Sequence, residues 1–368
     1  MKPLNETPWK RVKIFDDSES FTITTTSSSV DSIRIINGLS KTIPYITRTN
    51  NNNGVSQFVS EDNYEYGSDA AGCISVGLDT QTAFYQPHRF ITGQNIHIVK
   101  SNRLNKDFAL FYTTILKKQM EAKFNWGGNG ATLGRMKSIE ALAPINQDGT
   151  QDYEYMTEYS KEKQKELLSR YKRFSEKETS KIESKKIPVL EEKEWKDYSI
   201  TSLFNTIIAG KGKGLNHLHK TTKNGISYIG ATNRNNGVLC FVSEDESSQK
   251  MVLPGNCIGF IKNGDGSAGF AIYKAESFVS TSDVIYGYAD WINKYTGLFF
   301  VAAQDMIERK YSHGYKRNRQ HLNGDRVMLP ANRDGNPDFK YMEQYAKNMM
   351  LKKYKQYLSF LERKEKKQ

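Results

Sequence analysis

Residues 45–62 read YITRTNNNNGVSQFVSED and residues 228–245 read YIGATNRNNGVLCFVSED; at a shift of 183, 13 of the 18 positions are identical. Fainter echoes continue at nearly the same shift. Trp9 answers Trp195, Cys73-Ile74 answers Cys257-Ile258, and Leu110-Phe111 answers Leu298-Phe299. Pro144 answers Pro330, Asp148-Gly149 answers Asp334-Gly335, and Asp152, Tyr155, Met156 and Tyr159 answer Asp338, Tyr341, Met342 and Tyr345. A solenoid repeats every 20–50 residues or so, far less than this period. The chain therefore holds two tandem copies of one domain, each ending in a tail, with the seam near Lys186. Two like domains on one chain make a pseudo-twofold molecule, a geometry that suits a partner with two half-sites.

Composition narrows the partner. The 368 residues make room for two domains, and 37% hydrophobic with 12% aromatic residues supplies two cores. Lys and Arg outnumber Asp and Glu by 53 to 41, a net charge of +12 that predicts a polyanion, nucleic acid before membrane. No apolar run reaches the roughly 18 residues of a membrane span, and the first residues, MKPLNETPWKRVKIF, lack a signal-peptide core. The three cysteines (Cys73, Cys240 and Cys257) include no CxxC pair, which fits a reducing cytoplasm and small buried side chains.

Each copy has the same internal order. A Trp-led extended segment opens it, followed by strand-like Ile43–Ile46 and an Asn-rich turn closing on Asn53-Gly54 (Asn236-Gly237 in the second copy). An Asn-Gly pair between apolar runs predicts a hairpin, because both residues accept positive φ. Further strands are predicted around 73–76, 82–85 and 96–99, then 257–261, 269–273 and 278–285. One helix per copy is predicted over 108–124 and 295–311. A polar loop and a short extended stretch then lead to Pro144 or Pro330.

A long charged helix closes each copy, over about 152–186 and 338–368, with Asp152 and Asp338 placed to cap it. Met156, Tyr159, Leu167 and Tyr171 stripe the first, and Met342, Tyr345, Met349 and Leu358 the second, at helical spacing. A stripe of this kind buries one face only and needs a partner, the other copy's helix being the nearest candidate.

The run PYITRTNNNNGV from Pro44, the APINQDG from Ala143 and the PDFKYMEQY from Pro337 resemble DNA-specificity (S) subunits of type I restriction–modification systems and their BcgI-like relatives. The resemblance covers essentially the whole chain, and the short tail helices tilt it toward the BcgI-like branch. It implies an α/β (α+β) fold with two tandem target recognition domains, 1–150 and 187–336, related by pseudo-twofold symmetry. Spacer helices at 151–186 and 337–368 would pair as an antiparallel coiled coil, set the gap between two DNA half-sites, and dock methyltransferase or fused nuclease-methyltransferase subunits. The resemblance further implies a cytoplasmic, non-catalytic chain that binds no cofactor itself, with S-adenosylmethionine and Mg on the partner subunits.

The residues themselves carry no complete catalytic motif. None of the 9 prolines adjoins another, so the Asn/Asp-Pro-Pro-Tyr motif of amino-methyltransferases is missing. No GxGxxG opens a helix after a strand, and the Gly210-Lys211-Gly212-Lys213-Gly214 cluster lacks Walker spacing, reading as a flexible turn. His217 and His219 have no carboxylate at ligand spacing. Pro337-Asp338 and Glu362-Arg363-Lys364 mimic a PD…ExK nuclease, but one predicted helix carries both, about 36 Å apart at 1.5 Å per residue. Two other classes stay open: a diverged DNA methyltransferase or nuclease, and a scaffold that binds DNA without sequence preference.

Base edges are told apart by forked donors and acceptors, Arg or Lys on guanine and Asn or Gln on adenine. Such residues gather in two predicted loops of each copy. In the first they are Arg48, Asn50 and Asn51, then Lys123, Asn125, Trp126, Asn129 and Arg135. In the second they are Asn233 and Arg234, then Lys310, Tyr311, His313, Tyr315, Lys316, Arg317 and Arg319. Asn53 and Asn236 recur unchanged and are expected to shape the turn, while Arg48 against Ala231 and Asn51 against Arg234 vary as base-choosing positions would. The post-helix loops diverge more, FNWGGNGATLGR against YSHGYKRNRQHL.

Overall fold

The computed structural model describes residues 1–15, 21–124, 130–212, 214–222, 224–264, 266–312 and 314–365. It divides into two compact units, Met1–Tyr171 and Lys172–Gln368. In the first unit the elements run β1 (Trp9–Lys13), β2 (Thr22–Thr25), β3 (Ile43–Ile46), β4 (Val55–Val59), β5 (Cys73–Gly77), β6 (Thr82–Gln86), β7 (Ile91–Thr92), β8 (Ile96–Lys100), α1 (Lys106–Lys123), α2 (Leu133–Lys137), β9 (Glu140–Pro144) and α3 (Tyr153–Thr179). The last turns of α3, from Lys172, fall in the second unit. There follow β10 (Trp195–Ser199), β11 (Thr206–Ala209), β12 (Lys220–Thr221), β13 (Ile226–Ile229), β14 (Val238–Val242), α4 (Glu246–Gln249), β15 (Cys257–Ile261), β16 (Ala271–Lys274), β17 (Phe278–Ser280), β18 (Val284–Tyr288), α5 (Lys294–Gln304), α6 (Arg319–Asn323), β19 (Arg326–Pro330) and α7 (Phe339–Glu365).

The strand orders match one for one. Sheet β2-β8-β5-β6 in the first unit repeats as β11-β18-β15-β16, β4-β3-β7 as β14-β13-β17 with β12 added, and the ribbon β1-β9 as β10-β19. Pairing is antiparallel except β3 with β7 and β13 with β17, which are parallel. Even the register slip recurs, between Tyr45 and Ile46 and between Tyr228 and Ile229.

Alternation along the central strand explains the layers, because successive side chains point to opposite faces. Ile74 and Val76 of β5 join the core under α1, built on Phe108, Tyr112, Leu116 and Met120 at four-residue steps. Cys73 faces the other way, to Ile46, Phe90, Ile96 and Ile98 under the small sheet. In the second unit Ile258 and Phe260 face the α5 core, while Cys257 and Ile261 face Ile229, Phe278 and Tyr286. Each large side chain so buried contributes roughly 1.5–3 kcal/mol.

Asparagine starts the middle helix in both copies. The Asn105 side chain accepts from the Asp107 and Phe108 amides at 3.0 and 2.9 Å, and that of Asn293 from Tyr295 and Thr296 at 2.8 and 3.1 Å. Such caps are worth about 1 kcal/mol. The closing helices begin as expected, with Asp152 accepting from the Tyr155 amide at 2.9 Å and Asp338 from that of Tyr341 at 3.0 Å.

Four expectations need correction. The predicted 278–285 strand is two strands, β17 and β18, with a turn between them. The predicted 295–311 helix keeps α geometry only to Gln304 and tightens into a 3-10 segment, Asp305–Lys310; there Asp305 turns inward to accept from the Ala271 amide at 2.9 Å. α3 stops at Thr179 rather than near 186, so each closing helix has 27 residues, a length of about 40 Å. The Gly210–Gly214 stretch is not a free turn: a Cβ on Gly210 would lie 2.1 Å from the Thr281 carbonyl and one on Gly212 2.6 Å from Thr281 Cα, so glycine there lets two backbones touch. Lys213 lies outside the described residues.

Candidate DNA interface

In each unit the Asn-rich turn is a rigid bracket. Asn53 and Gly54 hold φ of 58° and 80°, Asn236 and Gly237 49° and 78°. The Asn53 side-chain amide donates to the Tyr85 carbonyl at 2.8 Å, and that of Asn236 to Tyr273 at 3.0 Å. These asparagines tie the turn to the main sheet, which is why they recur. Nearby, Arg48 stands against Ala231 and Asn51 against Arg234, and Asn51 and Arg234 are both exposed.

In the first unit Arg48 forms an ion pair with Asp79, in the turn between β5 and β6, and Asn95 donates to the same carboxylate at 3.1 Å. Burial pushes the Asp79 carboxyl up, but the hydrogen bonds from Arg48 and Asn95 outweigh it and hold the group below its ordinary range. Lys117 of α1 donates to the Asn50 side chain at 3.2 Å, and Asn51 is exposed beside it. The loop after α1 reaches the same place. The Ala131 amide donates to the Leu78 carbonyl at 3.3 Å, and Arg135 donates to the Gly130 carbonyl at 3.0 Å. Lys123 and Arg135 line one concavity with Gly134 and Ser138. Turn, β5–β6 corner and post-helix loop thus converge on one edge, carrying Arg48, Asn50, Asn51 and Arg135. Asn125, Trp126 and Asn129 lie outside the described residues.

The second unit converges in the same way with other side chains. Asn233 is bracketed by Ser267, whose hydroxyl lies 3.3 Å from its amide and 3.1 Å from its side-chain oxygen. Arg234 is exposed. The Arg317 amide donates to the Lys262 carbonyl at 2.9 Å, the counterpart of the Ala131–Leu78 bond. Tyr315, 42% exposed, stacks on His321 with centroids 4.3 Å apart and on Tyr311 at 5.7 Å. Lys316 is exposed, and Arg319, also exposed, donates to the Ile207 carbonyl at 3.0 Å. His313 lies outside the described residues.

Arg317 and Tyr311 are not surface readers. Arg317 is 0% exposed, its guanidinium held by Asp325 at 2.7 Å, by the Gly269 carbonyl at 2.9 Å and by Gln304. Tyr311 is buried too, its hydroxyl 2.8 Å from Asp325. Lys310 reaches the same Asp325 carboxylate at 2.8 Å, with its side chain 45% exposed. The sequence reading missed Lys117, Asp79 and Asn95 in the first unit and Gln304 and Asp325 in the second. Alignment of the copies carried a signal for the last two, since both stand where the first copy has apolar residues.

The helix stripes also divide. Met156 and Met342 are fully buried in their own cores, because the first turn of each closing helix seals its domain; they are not partner contacts. Tyr159 packs edge-on against Phe111, which stacks on Trp9, and Tyr345, Phe299 and Trp195 repeat this to within 0.1 Å. Tyr159 and Leu167 line an apolar groove of about 720 Å³ with Trp9, Leu110, Phe111 and Leu142. Met349 lines a smaller hollow with Val189, Leu190 and Tyr345. Tyr171 and Leu358 are half-buried. Within the second unit, Phe174 of α3 meets Tyr354 of α7 edge-on at 6.2 Å, and Glu178 pairs with Lys294 at 2.9 Å.

Chemistry is sparse. Among the described residues no cluster of His, Cys, Asp and Glu could hold a metal ion, and no helix is long and apolar enough to cross a membrane. Burial pushes the Cys73 and Cys257 thiols up to about 12, so neither supplies a thiolate near neutral pH.

One α/β module is thus used twice, its strand order constant and parts of its exposed turns varied. Residues 32–170 match the family profile described as the type I restriction modification DNA specificity domain. The chain is 28% identical over 313 residues, 83% of its length and 85% of the relative's, to the type II restriction enzyme specificity subunit S.BcgI of Heyndrickxia coagulans. Among solved structures it is similar to a type I restriction–modification S subunit from M. genitalium (TM-score 0.43, 15% identity, 98% of this chain and 95% of that one). It is similar also to the HsdS subunit of Thermoanaerobacter tengcongensis (TM-score 0.31, 11% identity, 97% and 92% of the chains). Residues 32–170 thus match the DNA specificity domain of the type I restriction–modification family, and over 83% of its length the chain is similar to a restriction-enzyme specificity subunit; sequence-specific DNA recognition is the function these likenesses support. Members of that family are non-catalytic subunits that work with DNA and methyltransferase partners.

Proposed function

We propose that the chain reads a bipartite duplex site, one half with each target recognition domain, 1–150 and 187–336. The helices at about 151–186 and 337–368 set the gap, pair with one another, and dock methyltransferase or nuclease-methyltransferase subunits that carry the S-adenosylmethionine and Mg; this chain does no chemistry itself. One observation carries the reading. The brackets, caps and aromatic clusters recur almost atom for atom, while on the converging edge Arg48 stands against Ala231, Asn51 against Arg234, and the post-helix loops differ. A frame kept constant under varied side chains is what two readers of different sequences require, since phosphate contacts position and base contacts specify.

The proposed base and phosphate contacts are Arg48, Asn50, Asn51, Lys123 and Arg135 in the first domain. In the second they are Asn233, Arg234, Tyr315, Lys316 and Arg319. The exposed Leu167 and the groove beside it, with Tyr171, Met349 and Leu358, are proposed as helix-pairing and partner surface. Selection of bound molecules from a randomised duplex pool by the full chain tests the reading. Two blocks of preferred bases at a fixed separation are expected. One uninterrupted block would contradict two separated readers, and equal recovery of all sequences would favour the non-specific scaffold.

A further inference from the structure

Three buried positions change character together between the copies. In the first unit Leu116, Ala131 and Ile139 are no more than 1% exposed and sit in the main core. Their counterparts, at shifts of 188, 186 and 186, are Gln304, Arg317 and Asp325, equally buried. An apolar trio has become a polar network. Its Arg317 guanidinium bonds to Asp325, Gln304 and the Gly269 carbonyl, and lies 5.0 Å from the Phe260 ring. Among the described residues Arg317 Nη2 has no partner.

Stability does not explain the exchange. A buried ion pair suffers desolvation that its attraction only partly offsets, and apolar residues of similar volume often serve as well or better. The first unit is the demonstration, since the same fold closes there with Leu, Ala and Ile. What the network adds is orientation. The segment between Tyr311 and Arg317 carries Tyr315 and Lys316, and both of its ends are fixed on one carboxylate, Tyr311 through its hydroxyl and Arg317 through Nε. Within it Ser312 and Tyr315 exchange backbone hydrogen bonds at 3.2 and 3.0 Å, and Tyr311 and His321 flank the Tyr315 ring.

We propose that the buried Arg317–Asp325–Gln304 network is a positioning device for DNA specificity in the second domain alone: it holds Tyr311, Ser312 and residues 314–317 so that Tyr315 and Lys316 meet the bases in one fixed geometry. The proposal rests on the two-reader function above and assigns part of that function to residues that never touch DNA. Fixing a contacting side chain by packing and supporting hydrogen bonds is the general route to selectivity at a site.

The test exchanges the trio in the full chain for the first copy's residues, Gln304→Leu, Arg317→Ala and Asp325→Ile together, and repeats selection from the randomised duplex pool. Wild type should select two blocks. The triple variant should lose at least tenfold of the base discrimination in one block and keep it in the other, with affinity for unselected duplex within threefold of wild type. A variant whose second domain had merely unfolded would lose that affinity as well. Discrimination within threefold of wild type in both blocks would overturn the proposal, and so would equal flattening of both. If hydrogen exchange shows the triple variant unfolded, Tyr311→Phe keeps the ring and removes only the hydroxyl on Asp325. About fivefold loss in one block is expected from it, and no loss would overturn the proposal. A wild-type chain that selects no pair of blocks would instead refute the two-reader function itself.

Discussion

The two units are the same protein at the level of strand order and different proteins at the level of three core side chains. Trp9, Phe111 and Tyr159 repeat as Trp195, Phe299 and Tyr345 with matching ring geometry. Leu116, Ala131 and Ile139 do not repeat; Gln304, Arg317 and Asp325 stand in their place. Shared positions thus report what the fold requires, and the buried exchange lies directly beneath the loop that also diverges at the surface. The core of this module is therefore not uniformly structural, for part of it varies with the reading edge it supports.

The largest test of that contrast crosses the copies one residue at a time. Asp325→Ile would leave the Arg317 charge buried without its carboxylate, and Ile139→Asp would put a carboxylate among apolar side chains with no arginine to meet it. Asp325→Ile should destabilise the second unit by about 3–5 kcal/mol, as breaking a buried pair does, and Ile139→Asp should destabilise the first by about 2 kcal/mol or more, because a carboxyl without partners is costly to bury. Hydrogen exchange in the central strand, β15 or β5, reads the loss unit by unit. Under 1 kcal/mol in either case would mean the two cores are interchangeable and the contrast empty.

A smaller effect separates the two Asn-Gly brackets. Gly54 and Gly237 share a positive φ, which alanine adopts at a cost. A Cβ on Gly54 would meet Ile46 and Phe84 at 3.3 Å, whereas one on Gly237 would meet Ile272 at 2.7 Å and Ile229 at 2.9 Å. Gly54→Ala should cost about 1 kcal/mol and Gly237→Ala about 2, measured by urea unfolding of the full chain. Equal losses would show that the backbone angle, rather than packing, dominates at both turns.

The bracket was readable because Asn-Gly between apolar runs has one physical meaning and occurs twice. Asp152 and Asp338 after their turns were legible on similar grounds, whereas the Asn105 and Asn293 caps were not read from the sequence. Nor was Arg317. A tract such as YSHGYKRNRQ reads as solvated, and nothing local says that its arginine turns inward to a carboxylate eight residues on. That partner becomes visible only when Asp325 is laid on Ile139 and the mismatch is taken as a question about burial. Met156 and Met342 misled for the opposite reason, since helical spacing gives a stripe but not which part of it the domain itself covers. Lys117 and Asp79 were hidden because they meet the turn from elements distant in sequence.

The smallest expected effect concerns acid. Hydrogen bonds from Lys294 and then Lys181 bring the Glu178 carboxyl down to about 2, against an ordinary 4.5. A carboxyl depressed in the folded state stabilises it fully above the unfolded value, and that contribution fades as pH falls from about 4.5 toward 2. Glu178→Gln should therefore flatten the acid dependence of hydrogen exchange in the second unit over that window and leave the first unchanged. An unaltered acid profile in the second unit would remove Glu178 from the account.

The claim that each copy reads DNA on its own is tested most directly by replacing the second copy, residues 187–368, with a second first copy, residues 1–186, and selecting from the randomised duplex pool. If each domain reads one half-site, the asymmetric wild-type site becomes an inverted repeat of the block read by the first domain. If the selected site stays asymmetric, or keeps the bases of the block whose domain was removed, the two copies do not read separately and the account fails.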